Sequence, residues 1–124
     1  MPSAMVVDDS RVMRMILKSL LNKLGYEVET AGNGAEALEV LERLAAEPEL
    51  VLVDWNMPVM NGLEFIRRVR AEKRFRPISL MMVTTETEAG QVVCALAAGA
   101  NEYVMKPFTE EIITDKLRLL GLAD

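Results

Sequence analysis

The sequence predicts a doubly wound α/β domain: five parallel strands in the order 2-1-3-4-5, with five helices on both faces. Three observations predict it. Short apolar runs alternate with longer amphipathic stretches along the chain, the signature of parallel strands joined through helices. Three of the five runs are almost wholly apolar, as strands covered on both faces are. No linker, low-complexity tract, charge block or internal repeat interrupts the 124 residues, so residues 1–124 read as one domain.

The first strand is expected over Ala4–Val7. Met13, Ile16, Leu17, Leu20, Leu21 and Leu24 then recur at helical spacing, and Gly25 stops that helix. The second strand, Val28–Thr30, sits in an alternating polar and apolar run and reads as an edge. Asn33-Gly34 precedes the stripe Ala37, Leu38, Leu41 and Leu44. The third strand is Val51–Asp54, after which Asn61 caps a helix bearing Leu63, Ile66 and Val69. The fourth strand, Ile78–Thr84, leads to a stripe of Ala89, Val92, Val93, Leu96 and Ala97 closed by Gly99. The fifth, Glu102–Met105, is followed by Thr109, Glu110 and Glu111, which open a helix carrying Ile112, Ile113, Lys116, Leu117 and Leu120.

Bulk composition excludes several functions. The net charge is −5 and the sequence pI about 4.8, so the concentrated basic face that nucleic-acid binding needs is absent. No uninterrupted apolar run approaches the roughly 18 residues of a membrane span, and the N-terminus lacks a basic-then-apolar leader. One cysteine, Cys94, permits no internal disulfide. A cytoplasmic location follows as the expectation. The chain has no histidine, which removes the commonest general base and zinc ligand. It also means that no phosphohistidine can form on this chain.

The chemistry lies in what ends each strand. Asp8 and Asp9 follow the first, Asp54 ends the third, Thr84 ends the fourth and Lys106 follows the fifth. Parallel strands share one carboxyl edge, and ligands bind there where the strand order reverses. Taken singly, each residue has a plainer role. Asp8 or Asp9 alone reads as a helix cap, Lys106 as a solvated lysine, Thr84 as a structural threonine and Tyr103 as half-buried edge packing. The nine methionines, Met13, Met15, Met81 and Met82 among them, read as core filler, and Cys94 as inert. The coincidence of four polar sites on one edge overrides those readings. Three carboxylates against one lysine repel one another unless a cation joins them. All-oxygen ligation selects Mg²⁺ or Mn²⁺. Asp54 can then act as a nucleophile and form an acyl phosphate, with Thr84 and Lys106 holding phosphoryl oxygens.

These residues stand in a pattern that resembles the receiver domain of two-component response regulators, and within that family the single-domain chemotaxis type. The carrying segments are Val6-Val7-Asp8-Asp9-Ser10, Asp54-Trp55-Asn56-Met57-Pro58 with Asn61-Gly62, Met82-Val83-Thr84-Thr85-Glu86, and the run from Ala98 to Phe108 that includes Lys106-Pro107. The resemblance covers Ala4 to about Leu120. It implies the flavodoxin-like fold, Asp54 as phosphoacceptor, and Mg²⁺ held by Asp9, by Asp8 mostly through water, by Asp54 and by the Asn56 carbonyl. It implies Thr84 and Lys106 as phosphoryl ligands, a cis Lys106-Pro107 peptide, and Asn56 and Glu86 as positions tuning dephosphorylation. Tyr103 would turn inward as Thr84 moves, altering the surface of the fourth helix, fifth strand and fifth helix. The donor would be a histidine kinase. The output partner would be a protein such as the flagellar motor switch, and the domain a monomer.

Other protein classes share parts of this pattern. A receiver cut from a DNA-binding regulator, or one regulating another kinase, would look similar. A haloacid dehalogenase-type phosphohydrolase also uses a strand-end Asp, but it needs a second Asp two residues on, where Asn56 stands. A flavodoxin-like cofactor binder would meet repulsion between its phosphate and Asp8 and Asp9. A receiver-shaped module acting by shape alone would not need the intact set of Asp9, Asp54, Thr84 and Lys106.

Overall fold

The computed structural model describes residues 2–85 and 89–123. In chain order the elements are β1 (Ser3–Val7), α1 (Arg11–Lys23), β2 (Glu27–Ala31), α2 (Gly34–Arg43), β3 (Leu50–Asp54), α3 (Gly62–Ala71), a 3₁₀ turn (Lys73–Phe75), β4 (Ser79–Thr84), α4 (Ala89–Ala98), β5 (Glu102–Met105) and α5 (Glu110–Leu119). The strands form one parallel sheet in the order β2-β1-β3-β4-β5. β1, β3 and β4 are nearly wholly buried, whereas β2 alternates and lies at an edge. Ile78, expected to begin β4, is buried just ahead of it.

Alternate strand residues feed two cores, because side chains of a strand point to opposite faces. Met5, Val7, Val51, Val53, Leu80 and Met82 pack with Ala37 and Leu41 of α2, Phe65 and Ile66 of α3 and Ala95 of α4. Ala4, Val6, Leu50, Leu52, Met81 and Val83 pack with Leu17 and Leu21 of α1 and Ile113 and Leu117 of α5. Five helices thus divide three to two across the sheet.

Side-chain caps start the helices where the sequence places them. Asn33 Oδ1 accepts from the Glu36 N–H at 2.9 Å, Asn61 Oδ1 from Glu64 at 2.9 Å and Thr109 Oγ1 from Ile112 at 3.1 Å. Gly25 and Gly99 end α1 and α4 with φ of +95° and +122°, conformations that a side chain disfavours.

Three predicted stripes need correction. On α4, Val93, Leu96 and Ala97 face solvent, and among the described side chains the buried position is Ala95 with Val92 half-buried beside it, while the side chain of Ala89 lies outside those described. The helix is so uniformly apolar that its period carries no phase, and its packing against the sheet decides. On α1, Ile16 is exposed, and on α5 so is Ile112. Each lies at the edge of its stripe, where the sheet does not reach. Met15 is 63% exposed and is not core filler, unlike Met81 and Met82, which are.

Candidate functional site

The β1–β3–β4–β5 pairing brings the carboxyl ends of four strands to one edge. Asp8, just past β1, is 1% exposed and fixed on all sides. Its Oδ1 accepts from the Ser10 N–H at 2.9 Å and its Oδ2 from Lys106 Nζ at 3.1 Å. Its backbone N–H donates to the Ala31 carbonyl at 3.1 Å, and its own carbonyl accepts from Arg14 Nη1 at 2.7 Å. Ser10 in turn caps α1, accepting from the Met13 N–H at 3.2 Å. Asp54 closes β3 and is buried, while Asp9 is exposed. Carboxylate oxygens of Asp8, Asp9 and Asp54 lie within 4.8 Å of one another.

Lys106 reaches into this group from the β5–α5 loop, its Nζ 3.4 Å from Asp54 Oδ1 as well as 3.1 Å from Asp8. Its backbone N–H donates to the Thr84 carbonyl at 2.8 Å, and the peptide to Pro107 is cis. Burial pushes the Asp54 carboxyl up to about 6. The neighbouring charge of Asp8 adds to this, Lys106 opposes it by charge and hydrogen bond, and Asp9 adds a little more. An all-oxygen, histidine-free donor set carrying three carboxylates against one ammonium is suited to a hard divalent cation.

The segment after β3 is set by close backbone approach. The Gly62 N–H donates to the Trp55 carbonyl at 2.9 Å, and a Cβ on Gly62 would lie 2.2 Å from the Asp54 carbonyl oxygen. Asn56 is exposed in this loop. Val59 in the same loop adopts φ of +68° and is 83% exposed.

Thr84 is buried at the end of β4. Tyr103 is half-buried on β5, paired with Met82 across the sheet. Lys116 Nζ stands 5.1 Å from the Tyr103 ring centroid and 2.9 Å from Glu102 Oε1. On the inner side, Trp55, Met82, Thr84, Gln91, Val92, Ala95 and Tyr103 line a cavity of about 10 Å³. Gln91 Oε1 is buried there with no hydrogen-bond partner among the described residues.

The sequence-predicted set divides as follows. Asp8, Asp9, Asp54 and Lys106 come together at one point. Thr84 and Tyr103 meet at the adjoining cavity, and Asn56 lies in the loop that follows Asp54. Glu86 lies outside the described residues. Sequence reasoning missed Arg14 and Gln91. Arg14 reads as one more helix cation, and Gln91 as the solvent side of α4.

The model of the response regulator receiver domain family matches residues 4–118. The chain belongs to that family. As a receiver domain it is a phosphoacceptor signalling module rather than a turnover enzyme. It is 47% identical over 122 residues to the chemotaxis protein CheY1 of Helicobacter pylori strain J99, covering 97% of this chain and 98% of that one. Among solved structures it is similar to the chemotaxis response regulator CheY4 of Vibrio cholerae, with 35% identity and a TM-score of 0.88 over 97% of this chain and 98% of that chain. It is also similar to the receiver domain of a sensor histidine kinase from Pseudomonas aeruginosa PAO1, with 27% identity and a TM-score of 0.85 over 97% and 98%. That structure holds a magnesium ion coordinated in its active-site cleft. Among the described residues, no helix is long and apolar enough to cross a membrane.

Proposed function

We propose that this receiver domain acts in the cytoplasm, accepts a phosphoryl group on Asp54 from the phosphohistidine of a histidine kinase and passes the signal to a partner protein in chemotaxis. The observation that carries the reading is the convergence of three carboxylates within 4.8 Å with the Lys106 ammonium among them. Similarity to chemotaxis proteins over nearly the whole chain supports the pathway, with the flagellar motor switch as the output partner.

The chain's own groups account for the transfer. Above pH 6 the Asp54 carboxylate is ionised for the larger part. One of its oxygens attacks the donor phosphorus. The new O–P bond forms as the donor N–P bond breaks, and the departing imidazole keeps the electron pair and takes up a proton. Lys106, held between Asp8 and Asp54, is placed to pair with a phosphoryl oxygen, and the Thr84 hydroxyl with another. Mg²⁺ held by Asp8, Asp9, Asp54 and the Asn56 carbonyl would supply the remaining positive charge. Asn56, in the loop that follows Asp54, and Glu86 are the positions that tune the lifetime of the acyl phosphate. Output passes through Tyr103 to α4, β5 and α5, where Val93, Leu96, Ile112 and Leu119 are exposed apolar side chains of the kind a partner covers.

The test is mass spectrometry after treatment with acetyl phosphate and Mg²⁺. The wild-type chain gains one phosphoryl group, and Asp54→Asn gains none. Equal labelling of the Asn variant overturns the assignment.

A further inference from the structure

A buried carbonyl oxygen without a donor is uncommon in a folded protein and calls for an explanation. Gln91 Oε1 is such an atom. It lies on the first half of α4, a helix that otherwise offers only small and apolar side chains. It faces a cavity of about 10 Å³, the smallest space able to hold even one water.

Three residues lining that cavity carry a donor: the Thr84 and Tyr103 hydroxyls and the Trp55 indole N–H. Thr84 is committed to the phosphoryl group under the function proposed above. Tyr103 is the donor with somewhere else to be. Its ring is half-buried and touches Lys116 on one side, at 5.1 Å, a contact too exposed to fix it strongly. The ring also lines the cavity shared with Gln91. The cavity is too small for a phenol ring, and the resemblance to receiver domains implies that Thr84, which lines it, shifts as the hydroxyl enters.

We propose that Gln91 is the positioning residue that captures the Tyr103 hydroxyl in the phosphorylated state, joining α4 to β5 by a hydrogen bond that the unphosphorylated state lacks. This rests on Asp54 being the phosphoacceptor. Two effects favour the switched state. The unphosphorylated fold leaves the Gln91 oxygen without a donor among the described residues, and the switched fold satisfies it. Because coupling is reciprocal, Gln91 also strengthens the binding of a phosphoryl mimic at Asp54 without touching it.

The experiment uses beryllium fluoride with Mg²⁺ as the mimic. The readout is the ¹⁹F resonance of fluorotryptophan at Trp55, the only tryptophan. Gln91→Met keeps the length of the side chain and removes the acceptor. It is expected to weaken mimic binding about fivefold to tenfold, with Mg²⁺ affinity in the absence of beryllium fluoride unchanged. In a Tyr103→Phe background the same substitution is expected to change nothing further, since the hydroxyl it serves is gone. Undiminished mimic binding in Gln91→Met overturns the proposal. So does an equal loss in both backgrounds, which would assign the acceptor to Trp55, to a fixed water or to general packing. Failure of the wild-type chain to bind the mimic at all, with no phosphoryl gain from acetyl phosphate, overturns the phosphoacceptor reading and this inference with it.

Discussion

The ammonium of Lys106 stands 3.1 Å from Oδ2 of Asp8 and has only 16% of its side chain exposed to solvent. It is also 3.4 Å from Asp54. In the metal-free protein this one cation counters the mutual repulsion of two buried carboxylates. Lys106→Met removes it and leaves them unpaired, which is costly for buried charge. Partial protonation of Asp54 limits the damage. The expected loss is about 1–3 kcal/mol of stability in a chelator at pH 7.5. Saturating Mg²⁺ should shrink that loss, because the divalent ion takes over the neutralisation that Lys106 provided and therefore binds the variant more tightly than the wild type. Urea titrations with and without Mg²⁺ measure both quantities. An equal deficit in the two conditions would show that Lys106 acts through packing and not through charge.

The raised Asp54 carboxyl gives stability a definite pH dependence. Burial and Asp8 lift it from 3.8 to about 6. Between those values the folded chain holds a proton that the unfolded chain has released. Stability from this group is therefore fully present below about pH 4 and falls as pH rises through 6. Allowing for solvent screening on the open side by Asp9, the change is of order 1–2 kcal/mol. Asp54→Asn removes it. The difference in stability between wild type and Asp54→Asn, measured in chelator from pH 4 to 8, should therefore grow in favour of the variant up to about pH 7 and then level off. A difference independent of pH would mean that Asp54 titrates normally.

Gly62 fixes where Asp54 ends. Its missing Cβ would sit 2.2 Å from the Asp54 carbonyl oxygen and 3.0 Å from the carbonyl carbon, both of them backbone atoms that no side-chain rotation can clear. Gly62→Ala therefore forces the β3–α3 segment apart. A cost of about 2–3 kcal/mol is expected, as for overpacking elsewhere in a core. Phosphorylation by acetyl phosphate should slow as well, because the displaced backbone carries both Asp54 and Asn56. Denaturation midpoints and a phosphorylation time course check the two effects together. A variant as stable as wild type would show that the loop yields freely.

Strand ends proved the most legible feature of this sequence. β1, β3 and β4 are apolar on both faces, so their carboxyl ends are sharp, and the polar residue that ends or follows each one falls on the same edge. Caps were legible too, since Asn61 and Thr109 each precede an amphipathic run by one residue. α4 was not. In the run from Ala89 to Ala98 nearly every position is apolar or small, so Val93 and Ala95 look equally fit for burial, and only the sheet beneath chooses Ala95. Gln91 was hidden by the same feature. As the polar residue of an apolar helix it reads as the solvent side, yet its amide oxygen is buried. Val59 left no trace either, because a β-branched residue argues against the conformation that it adopts.

That conformation carries the last prediction. Val59 has φ of +68°, a left-handed value that costs an ordinary L residue roughly 1–2 kcal/mol and a β-branched one no less. With the residue 83% exposed, little packing offsets the cost. Asn tolerates this region through local hydrogen bonding of its short side chain. Val59→Asn should therefore raise stability by about 1 kcal/mol, a shift in Tm of roughly 3–5 °C for a domain of this size. Val59→Ala separates strain from the loss of an exposed apolar surface. It deletes the same surface but keeps a Cβ at positive φ, so its gain should be clearly smaller than that of Asn. Both variants should still take a phosphoryl group from acetyl phosphate, since Val59 lies outside the acidic cluster. Equal gains in Ala and Asn would assign the effect to surface rather than backbone. A loss in both would show that the valine side chain is held by contacts worth more than the strain.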